Sequence, residues 1–504
     1  MKRIITSFVL SILCWTLQAQ LSDRLWLGGY NEFPGVPGNG NFSLWFDENG
    51  PKVQQTPLTF NFESTMAVAA APNGQILFYS NGCEVANRLH QVMPNGGGLN
   101  PGDIGEQVCP WKGYIVPQGA MALPMPGDST RFMLLHIGAT YEPERKLRLG
   151  PLYYSTVDMS LENGLGDVAT KNNVLLNEDL GNFNTIRHGN GRDWWIVAPA
   201  FDNLKWYVFL LSPQGIQPMP PQTVSMGGLR CEHHGQTAVS PDGSRLASWG
   251  DCKMTVFNFD RCSGTFGTVL ELAVLPRHWF AGGGAAFSPS GRYLYATDHN
   301  VLLRADLEAS MPQLDTMRFS YGAGNYTVPG NNFHYLVNGP YDILYGNIPS
   351  RAKYFHALKN PEGAGINDIN FVPQSVALPV TNVRTLPHFP NFRLYDLQGS
   401  PCDTLGIDGS SVSTQAPTSS PFMRLSPNPT GEVLYVQLQG NTGFSPTNTS
   451  NVWIMDATGR VMIQQEVIFK DHGVPIDVRL LPPGLYYFSL RAGGKVWGGK
   501  FVKL

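Results

Sequence analysis

Short apolar and aromatic runs alternate with turn residues from about residue 24 to residue 400 of this 504-residue chain. The clearest examples are AVSPDGSRLASWGD (238–251) and AFSPSGRYLYATDH (286–299), in which an apolar residue, Ser-Pro-x-Gly and a polar residue precede a strand-like run. Proline sets φ near −65° early in such a turn, and glycine takes the position with positive φ near its end. The pattern therefore predicts β-hairpins.

Weaker copies of the hairpin recur at a spacing of about 40–60 residues. They are AAPNGQILFYSNG (70–82), LPMPGDSTRFMLLHIG (123–138), RHGNGRDWWIVAPA (187–200) and NGPYDILYGN (338–347). Further strand-like runs follow several copies, as in KMTVFNFD (253–260) and VLLRADLE (301–308). Such a repeat is typical of β-propeller blades, whereas a β-sandwich, the alternative, would not need six related hairpins.

The six hairpins and the two ends of this region predict about seven blades. We expect the N-terminal run DRLWLGGYN (23–31) and the C-terminal run NFRLYDLQG (391–399) to be strands of one blade shared between the two ends.

The composition agrees with an all-β protein. Gly (55) and Pro (39) are abundant and charged residues make up 14% of the chain, which suits many short strands joined by tight turns. A formal net charge of −3 gives no support for nucleic-acid binding. We find no sequence motif for a cofactor, and a glycine-rich stretch at 282–287 lacks the Lys-Ser/Thr of a phosphate-binding loop.

The N-terminus predicts export. Lys2 and Arg3 precede an apolar run from Ile4 to Leu17, and Ala19 ends a plausible cleavage site. We therefore assign residues 1–19 to a secretory signal peptide, with a membrane anchor as the alternative. No later run of about 18 apolar residues occurs, so the mature chain has no expected transmembrane segment.

The C-terminal fifth of the chain is a separate module. The segment SSVSTQAPTSSP (410–421) has almost no large apolar residues and is typical of a flexible linker. About seven short alternating strands follow it, which indicates a small Ig-like β-sandwich. The expected domains are a propeller at 20–409, the linker at 410–421 and the sandwich at 422–504.

This module resembles the type A C-terminal sorting domain of the type IX secretion system. The matching residues, in order, are Ser426, Pro427, Asn428 and Pro429, then Asp456 and Gly459, then Gly484 and Tyr486, and finally Lys500 and Lys503 in a lysine-rich last strand. The polar insertion at 441–451 departs from the pattern and predicts a longer loop. The resemblance implies that the type IX machinery carries the protein across the outer membrane and removes the module, often leaving the remainder on the cell surface.

The body of the chain resembles WD-repeat-like propellers of exported bacterial proteins, and one uncharacterised family of them in particular. The stretches that carry this resemblance are YSNGCEVANRLHQVMPNGGGLNPG (79–102), HGNGRDWWIVAP (188–199), FNFDRCSG (257–264) and LPHFPNFRLYDLQGSPCDTLG (386–406). The resemblance implies a fold and an extracellular or cell-surface location, and no particular activity.

Six cysteines remain after signal cleavage, and an even number in an exported protein favours disulfides. Cys252 and Cys262 bracket a strand that would hold them roughly 30 Å apart, too far for a bond. A hairpin turning at 241–243 places Cys231 opposite Cys252 or Lys253, which predicts Cys231–Cys252. Cys83–Cys109 would close a local loop, and Cys262–Cys402 remains by elimination.

Candidate chemistry is sparse. Cys231-Glu232-His233-His234 contains metal-ligand types, but adjacent residues of a strand point to opposite faces, so we interpret the cluster as polar residues at the mouth of a blade. Five scattered histidines would form a centre only if blades brought them together at the propeller axis; they are His136, His188, His278, His299 and His334. We expect Trp194 and Trp195 to pack on opposite faces of one blade.

Two functions remain open from the sequence. The favoured one is an exported propeller that binds a glycan or protein through its loop-rich face, without catalysis. The alternative is a secreted hydrolase or lyase with its active site in the propeller funnel. Two carboxylates, or a histidine and a carboxylate, within about 5–10 Å in one funnel would favour the enzyme.

Overall fold

The computed structural model describes residues 21–503 except for a set of internal segments, and it divides the chain into two compact units, Met1–Val412 and Ser413–Leu504. The segments outside the description are 31–37, 48, 143–146, 203, 225–232, 251–252, 274–282, 299–300, 319–333, 349–350, 406–421, 427–429, 440–448, 457–459, 469–473 and 493–494. The predicted signal peptide and linker thus lie outside the described residues.

The described residues of the first unit form seven antiparallel sheets, which we number in chain order. Sheet 1 has three strands, β1 (Leu25–Tyr30), β2 (Gly40–Asp47) and β3 (Gly50–Gln55). Sheet 2 has β4 (Ala67–Ala70), β5 (Ile76–Ser80), β6 (Glu84–Asn87) and β7 (Val92–Gly97), and sheet 3 has β8 (Ala120–Pro124), β9 (Arg131–Tyr141), β10 (Leu147–Asp158) and β11 (Asp167–Leu176).

The next four sheets follow the same plan, with strands paired in chain order. Sheet 4 has β12 (Asn184–Arg187), β13 (Trp194–Pro199), β14 (Lys205–Ser212), β15 (Gly215–Pro218) and the short β16 (Gln222–Thr223). Sheet 5 has β17 (His233–Val239), β18 (Arg245–Gly250), β19 (Lys253–Asp260) and β20 (Thr265–Ala273). Sheet 6 has β21 (Ala285–Phe287), β22 (Tyr293–Asp298), β23 (Val301–Asp306) and β24 (Leu314–Arg318). Sheet 7 has β25 (Leu336–Asn338), β26 (Leu344–Gly346), β27 (Ala352–Leu358) and β28 (Phe371–Asn382).

Helical structure in the described residues is confined to short pieces between strands. They are α1 (Asp103–Val108) and the 3₁₀ turns Glu162–Gly164, Pro340–Asp342 and Ile366–Asp368. No helix in the described part of the chain has the length and apolar character needed to cross a membrane.

The repeated turns have the geometry that their sequence predicts. In the turns of sheets 5 and 6, the N–H of Gly243 bonds to the carbonyl of Ser240 (2.9 Å), and the N–H of Gly291 bonds to that of Ser288 (2.8 Å). Both glycines have positive φ, 72° and 76°, which an L side chain rarely adopts. Because strands alternate in direction, these turns share one face of the unit, which we call the turn face. The connections between successive sheets lie on the opposite face, the loop face.

Hydrophobic cores between neighbouring sheets show that the seven sheets form a closed ring. Cores join sheets 2 and 3, 3 and 4, 4 and 5, 5 and 6, and 6 and 7 in turn. A further core joins sheet 1 to both neighbours, because it contains Trp26 and Phe46 of sheet 1, Tyr345 and Phe355 of sheet 7, and residues of sheet 2 such as Tyr79. The rings of Trp26 and Tyr345 meet edge to face at 5.4 Å. This arrangement is that of a β-propeller with seven blades in the described residues.

One feature of the predicted closure is wrong. The run DRLWLGGYN does supply β1, but 391–399 forms turns and irregular backbone, not a strand. As far as the structure describes it, sheet 1 is built from three consecutive strands, without a strand from the C-terminal end. The two ends are instead joined by packing, because β28 contacts all three strands of sheet 1.

The second unit is a two-sheet sandwich. One sheet has the order β29 (Phe422–Ser426), β30 (Val433–Gln439) and β33 (Val474–Asp477). The other has the order β32 (Val461–Ile468), β31 (Thr449–Met455), β34 (Gly484–Ala492) and β35 (Lys495–Lys503). Alternating residues of both sheets, among them Leu434, Ile454 and Phe488, fill the core between them.

Candidate functional site: the axial segment and the loop face

The centre of the propeller is occupied by the chain itself. After β28, residues 383–403, which we call the axial segment, cross from the loop face to the turn face. Three of its side chains bond in turn to backbone carbonyls of the surrounding blades. Thr385 Oγ1 bonds to the carbonyl of Phe62 at 3.0 Å, and His388 Nδ1 bonds to that of Gln118 at 3.2 Å. Asn391 Nδ2 donates to the carbonyl of Pro241 at 2.9 Å. These partners belong to blades on different sides of the ring.

Side-chain amides link the inner strands around this segment. The side chain of Gln118, just before β8, bonds to both the N–H (3.0 Å) and the carbonyl (2.9 Å) of Thr237 in sheet 5. The Oε1 of Gln236 accepts hydrogen bonds from the N–H groups of Ala285 (3.0 Å) and Leu336 (2.8 Å) in sheets 6 and 7. Sequence analysis did not single out these residues, because isolated Gln residues have no motif.

Among the described residues, His388 lies at the centre. Its ring packs 5.5 Å from that of Phe183, and burial lowers its pKa to about 3. On the loop face, Arg384 pairs with the carboxylate of Glu63 at 3.0 Å. The described residues therefore place a neutral imidazole and an ion-paired carboxylate here, an arrangement that serves packing and charge balance.

On the turn face, Arg261 fastens the axial segment to sheets 4 and 5. Its guanidinium donates to three carbonyls from separate parts of the chain, those of Arg187 (2.9 Å), Asp242 (3.3 Å) and Tyr395. The carbonyl of Arg261 itself accepts from the indole N–H of Trp195 (2.7 Å). One side chain thereby joins β12, the Ser-Pro-Asp-Gly turn of sheet 5 and the axial segment.

A disulfide completes this attachment. Cys262 and Cys402 are bonded, and the N–H of Leu397 bonds to the carbonyl of Gly189 at 2.8 Å. A Cβ on Gly189 would lie 2.4 Å from the sulfur of Cys402, so only glycine fits there. We call the contacts among 187–193, 260–264 and 394–403 the clasp. Three of the four stretches that carry the family resemblance meet in the clasp.

The clasp buries positive charge. Burial lowers the pKa of Arg187 to about 10, and repulsion from the guanidinium of Arg261 adds to this shift. Burial also lowers the pKa of Arg261 to about 10. The guanidinium of Arg187 stacks 4.0 Å from the ring centroid of Trp194. Burial also lowers the pKa of His188, although Asp193 opposes the shift. The neutral imidazole of His188 packs on Trp195 at 5.1 Å, which is a structural role.

A Ser-His-Asn arrangement in sheet 3 also has a structural explanation. The ring of His136 lies 2.9 Å from Ser155 Oγ and 2.8 Å from Asn100 Oδ1. All three side chains are fully buried, and burial lowers the pKa of His136 to about 3. A nucleophile that no substrate reaches has no catalytic use, so the arrangement serves to anchor the segment before α1 to sheet 3.

The described members of the five scattered histidines lie in separate places. His136 packs on Tyr153 in sheet 3, His188 belongs to the clasp, and the ring of His334 lies 3.9 Å from Tyr335. His278, His299, Cys231 and Glu232, and the side chains of His233 and His234, lie outside the description. Within it, no group of three or more His, Cys, Asp or Glu residues is arranged to hold a metal ion.

The described part of the chain contains two disulfides, and both are pairs that the sequence predicted. Cys83 is bonded to Cys109 with a Cα–Cα distance of 5.5 Å, and Cys262 to Cys402 with one of 5.4 Å. Cys231 and Cys252 lie outside the described residues, so that pairing remains a prediction. The last described pair of their hairpin is His233 opposite Gly250, two residues from each cysteine.

Trp194 and Trp195 occupy opposite faces of sheet 4, as predicted. Trp194 lies in the core between sheets 3 and 4, and Trp195 lies in the core between sheets 4 and 5. Both are almost completely buried, so neither is available to a ligand.

The loop face carries an aromatic side chain that sequence analysis missed. Trp111 is 71% exposed, yet its backbone is held firmly. Its N–H bonds to the carbonyl of Val108 (3.1 Å), its carbonyl accepts from Asn61 Nδ2 (2.8 Å), and the Cys83–Cys109 disulfide fixes the preceding turn. A tryptophan between Pro110 and Lys112, outside any apolar run, was the signal that could have identified it.

In the sandwich, the described sorting-motif residues stabilise turns and strand ends. The N–H of Arg460 bonds to Asp456 Oδ1 (3.1 Å), and the hydroxyl of Tyr486 bonds to the carbonyl of Pro482 (2.8 Å). Gly484 pairs with Lys503 at the start of the last hairpin, and Lys500 pairs with Tyr487 within it. Ser426 ends β29, whereas Pro427, Asn428, Pro429 and Gly459 lie outside the description.

Comparison with known families identifies this sandwich. Residues 424–504 match the family model described as the secretion system C-terminal sorting domain. This domain directs export by type IX secretion to the cell surface or the extracellular space. The chain is therefore a β-propeller protein with a type IX sorting domain at its C-terminal end.

The full chain also has structural likenesses to other propellers. It is similar to a protein from Bacteroides fragilis provisionally assigned as a 6-phosphogluconolactonase, with 10% identity and a TM-score of 0.42 over 72% of this chain and 97% of that one. It is similar to the β-propeller domain of Cps50 (Swd1) from Myceliophteria thermophila, with 12% identity and a TM-score of 0.35 over 65% of this chain and 93% of that one. At these identities and TM-scores, the likenesses carry no argument about activity. No curated protein matches the sequence significantly.

Proposed function

We propose that this protein is an exported binding propeller that contacts an extracellular or cell-surface ligand through its loop face and performs no chemistry of its own. The observation that carries the proposal is Trp111. A large aromatic side chain that is 71% exposed on a rigid backbone loses little conformational entropy on binding. Tryptophan is also among the residues that most often dominate binding energy at interfaces and stack on ligands.

The surroundings of Trp111 support a preformed site. The Cys83–Cys109 disulfide and the hydrogen bond from Asn61 hold the segment after α1 against sheets 2 and 3. Tyr114, three residues after Trp111, is buried in the core between sheets 3 and 4. The indole therefore projects from a fixed support, in the way that a binding residue is positioned on a rigid scaffold.

The alternative, a hydrolase or lyase with a site in the funnel, has no supporting observation among the described residues. The axial segment passes through the position where such a site would lie. Its central histidine is buried against Gln118 and Phe183, and the carboxylate of Glu63 is paired with Arg384.

The test is a binding screen of the labelled full-length chain on arrays of glycans and of extracellular proteins. We expect a ligand class whose binding falls at least tenfold in Trp111→Ala, because most of the aromatic contact is removed. Tyr341→Ala is the matched control, since Tyr341 is an exposed aromatic (39%) on the turn face. Equal binding by the wild type and Trp111→Ala, with loss in Tyr341→Ala, would contradict the proposal.

A further inference from the structure

The stretch around Trp111 presents hydrogen-bonding side chains in a row with the indole. The N–H of Lys112 bonds to the carbonyl of Val108 at 2.9 Å, which continues the winding of α1 beyond its last residue. Residues four apart on such a winding are neighbours on its surface, so Asp103, Gln107 and Trp111 lie along one side. We call these three residues the α1 row.

The polar side chains of the α1 row are available to a ligand. Asp103 and Gln107 are exposed, as are Glu106 and Lys112 beside them. None of these four side chains has a hydrogen-bond or ion-pair partner in the described part of the chain. Ile104, by contrast, is buried in the core between sheets 3 and 4 and fixes α1 to the propeller. The α1 row is therefore a polar strip on a fixed support, with an aromatic ring at its end.

An indole bordered by such groups matches the surface of a pyranose ring. One face of this sugar ring presents C–H groups, which pack on an aromatic face, and its rim presents hydroxyl groups that donate and accept hydrogen bonds. A carboxylate accepts hydrogen bonds from hydroxyls, and an amide both donates and accepts them. The α1 row can therefore contact both parts of a sugar unit at once.

The same stretch is less suited to a protein or to an acidic polymer. Between residues 93 and 140, all of which the structure describes, Trp111 is the one large apolar side chain that is exposed. The centre of a protein interface is a wider apolar area with several buried anchors. Asp103 and Glu106 outnumber Lys112, so the local charge opposes a polyanion.

We propose that the Trp111 site binds a neutral glycan, with one pyranose ring stacked on Trp111 and its hydroxyl groups bonded to Gln107 and Asp103. This inference rests on the proposed binding function and adds the chemical class of the ligand. Contacts of this kind involve no charge on the ligand. The affinity should therefore change by less than about twofold between ~0.05 M and ~0.5 M salt, whereas binding of a charged partner would weaken.

The test measures the affinity of the purified full-length chain for defined probes by isothermal titration calorimetry. The probes are neutral oligosaccharides of glucose, xylose, mannose and N-acetylglucosamine, an acidic oligogalacturonate and a lysine-rich peptide. We expect a neutral oligosaccharide to bind, with affinity at least tenfold weaker in Trp111→Ala and about threefold weaker in Gln107→Leu. The matched control is Gln91→Leu, because Gln91 is exposed between β6 and β7 on the turn face; it should bind as the wild type does.

Trp111→Tyr covers the case in which an alanine variant fails to fold. Tyrosine keeps an aromatic ring, so this variant should bind the neutral oligosaccharide more tightly than Trp111→Ala. Binding that depends on Trp111 but is confined to the oligogalacturonate, the peptide or an arrayed protein would overturn the glycan assignment and leave the binding function standing. Failure of every neutral oligosaccharide to bind at millimolar concentration would also overturn it. If no ligand of any class depends on Trp111, the proposed function itself fails.

Discussion

Cys402, at the end of the axial segment, is covalently bonded to Cys262, 140 residues earlier in the chain. In the described part of the chain, sheet 1 contains no strand from the C-terminal end, and no strand pairing joins the first and last sheets of the ring. The disulfide and the contacts of Arg261 hold the C-terminal end of the propeller in place on the turn face. Closure between the first and last sheets thus depends on packing of β28 against sheet 1, and the clasp anchors the segment that follows β28.

Removal of this disulfide in Cys262→Ser/Cys402→Ser should lower the free energy of unfolding by about 2–4 kcal/mol. The bond restricts a long loop of the unfolded chain. The cysteines removed in Cys83→Ser/Cys109→Ser are 26 residues apart. Because this loop is shorter, the loss of unfolding free energy through chain entropy should be about 1.5 kcal/mol smaller than for the Cys262–Cys402 bond. Urea unfolding of the purified full-length variants measures both. A larger loss in the Cys83/Cys109 variant would contradict the importance given to the clasp.

Arg261→Lys should destabilise the propeller by on the order of 2–3 kcal/mol. An ammonium group cannot reach three carbonyls that a planar guanidinium contacts together, so buried acceptors lose their donor. Arg292→Lys is the control, because Arg292 is exposed and pairs with Asp306 on the surface; it should change stability by less than about 0.5 kcal/mol. Equal midpoints of thermal unfolding for the two variants would contradict the stabilising role assigned to Arg261 in the clasp.

The stability of the propeller should fall as pH drops below about 6.5. Burial lowers the pKa of both His136 and His388 to about 3 in the fold, whereas the pKa of an unfolded histidine is about 6.5. The unfolded state therefore binds more protons between these values, and the stabilisation present above pH 6.5 is lost towards pH 3. In this pH range, each histidine lowers the free energy of unfolding by about 1.4 kcal/mol for each unit that the pH falls. In His388→Asn, urea unfolding between pH 6 and pH 4 should show a slope smaller by about that amount. An unchanged slope would show that His388 is not buried and neutral.

The strands and turns of the propeller were predictable because each depends on local sequence. Ser-Pro-x-Gly fixes the backbone of the turn, and the apolar runs on each side have the length of a buried strand. Gly243 and Gly291 adopt the positive φ that this sequence requires. The sandwich was predictable for the same reason, together with its resemblance to a family of sorting domains.

The path of the axial segment was not predictable from the pattern alone. NFRLYDLQG alternates apolar and polar residues as a strand does, but it lies on the turn face without pairing to a sheet. Pro387 and Pro390, just before it, lack the N–H that a central strand needs, and they argue against strand closure there. The meeting of Arg187, Arg261 and Tyr395 depends on the whole ring, because these residues are far apart in sequence.

The exposure of Trp111, the candidate binding residue, was also not predictable from the sequence. Its sequence neighbours are Pro110 and Lys112, which indicate a loop, and exposure of a loop aromatic depends on packing that sequence does not reveal. The disulfide from Cys83 to Cys109 and the bond from Asn61 determine its position.

Export of the propeller by its sorting domain is the central claim, and deletion of residues 422–504 tests it most directly. The truncated and full-length chains are expressed in a host that carries the type IX machinery, and the cells are fractionated into periplasm, outer membrane and medium. The propeller has its own cores and disulfides, so the truncated chain should accumulate in the periplasm as a folded, protease-resistant protein. The full-length chain should reach the surface or the medium. Equal amounts of both chains outside the cell would contradict the account.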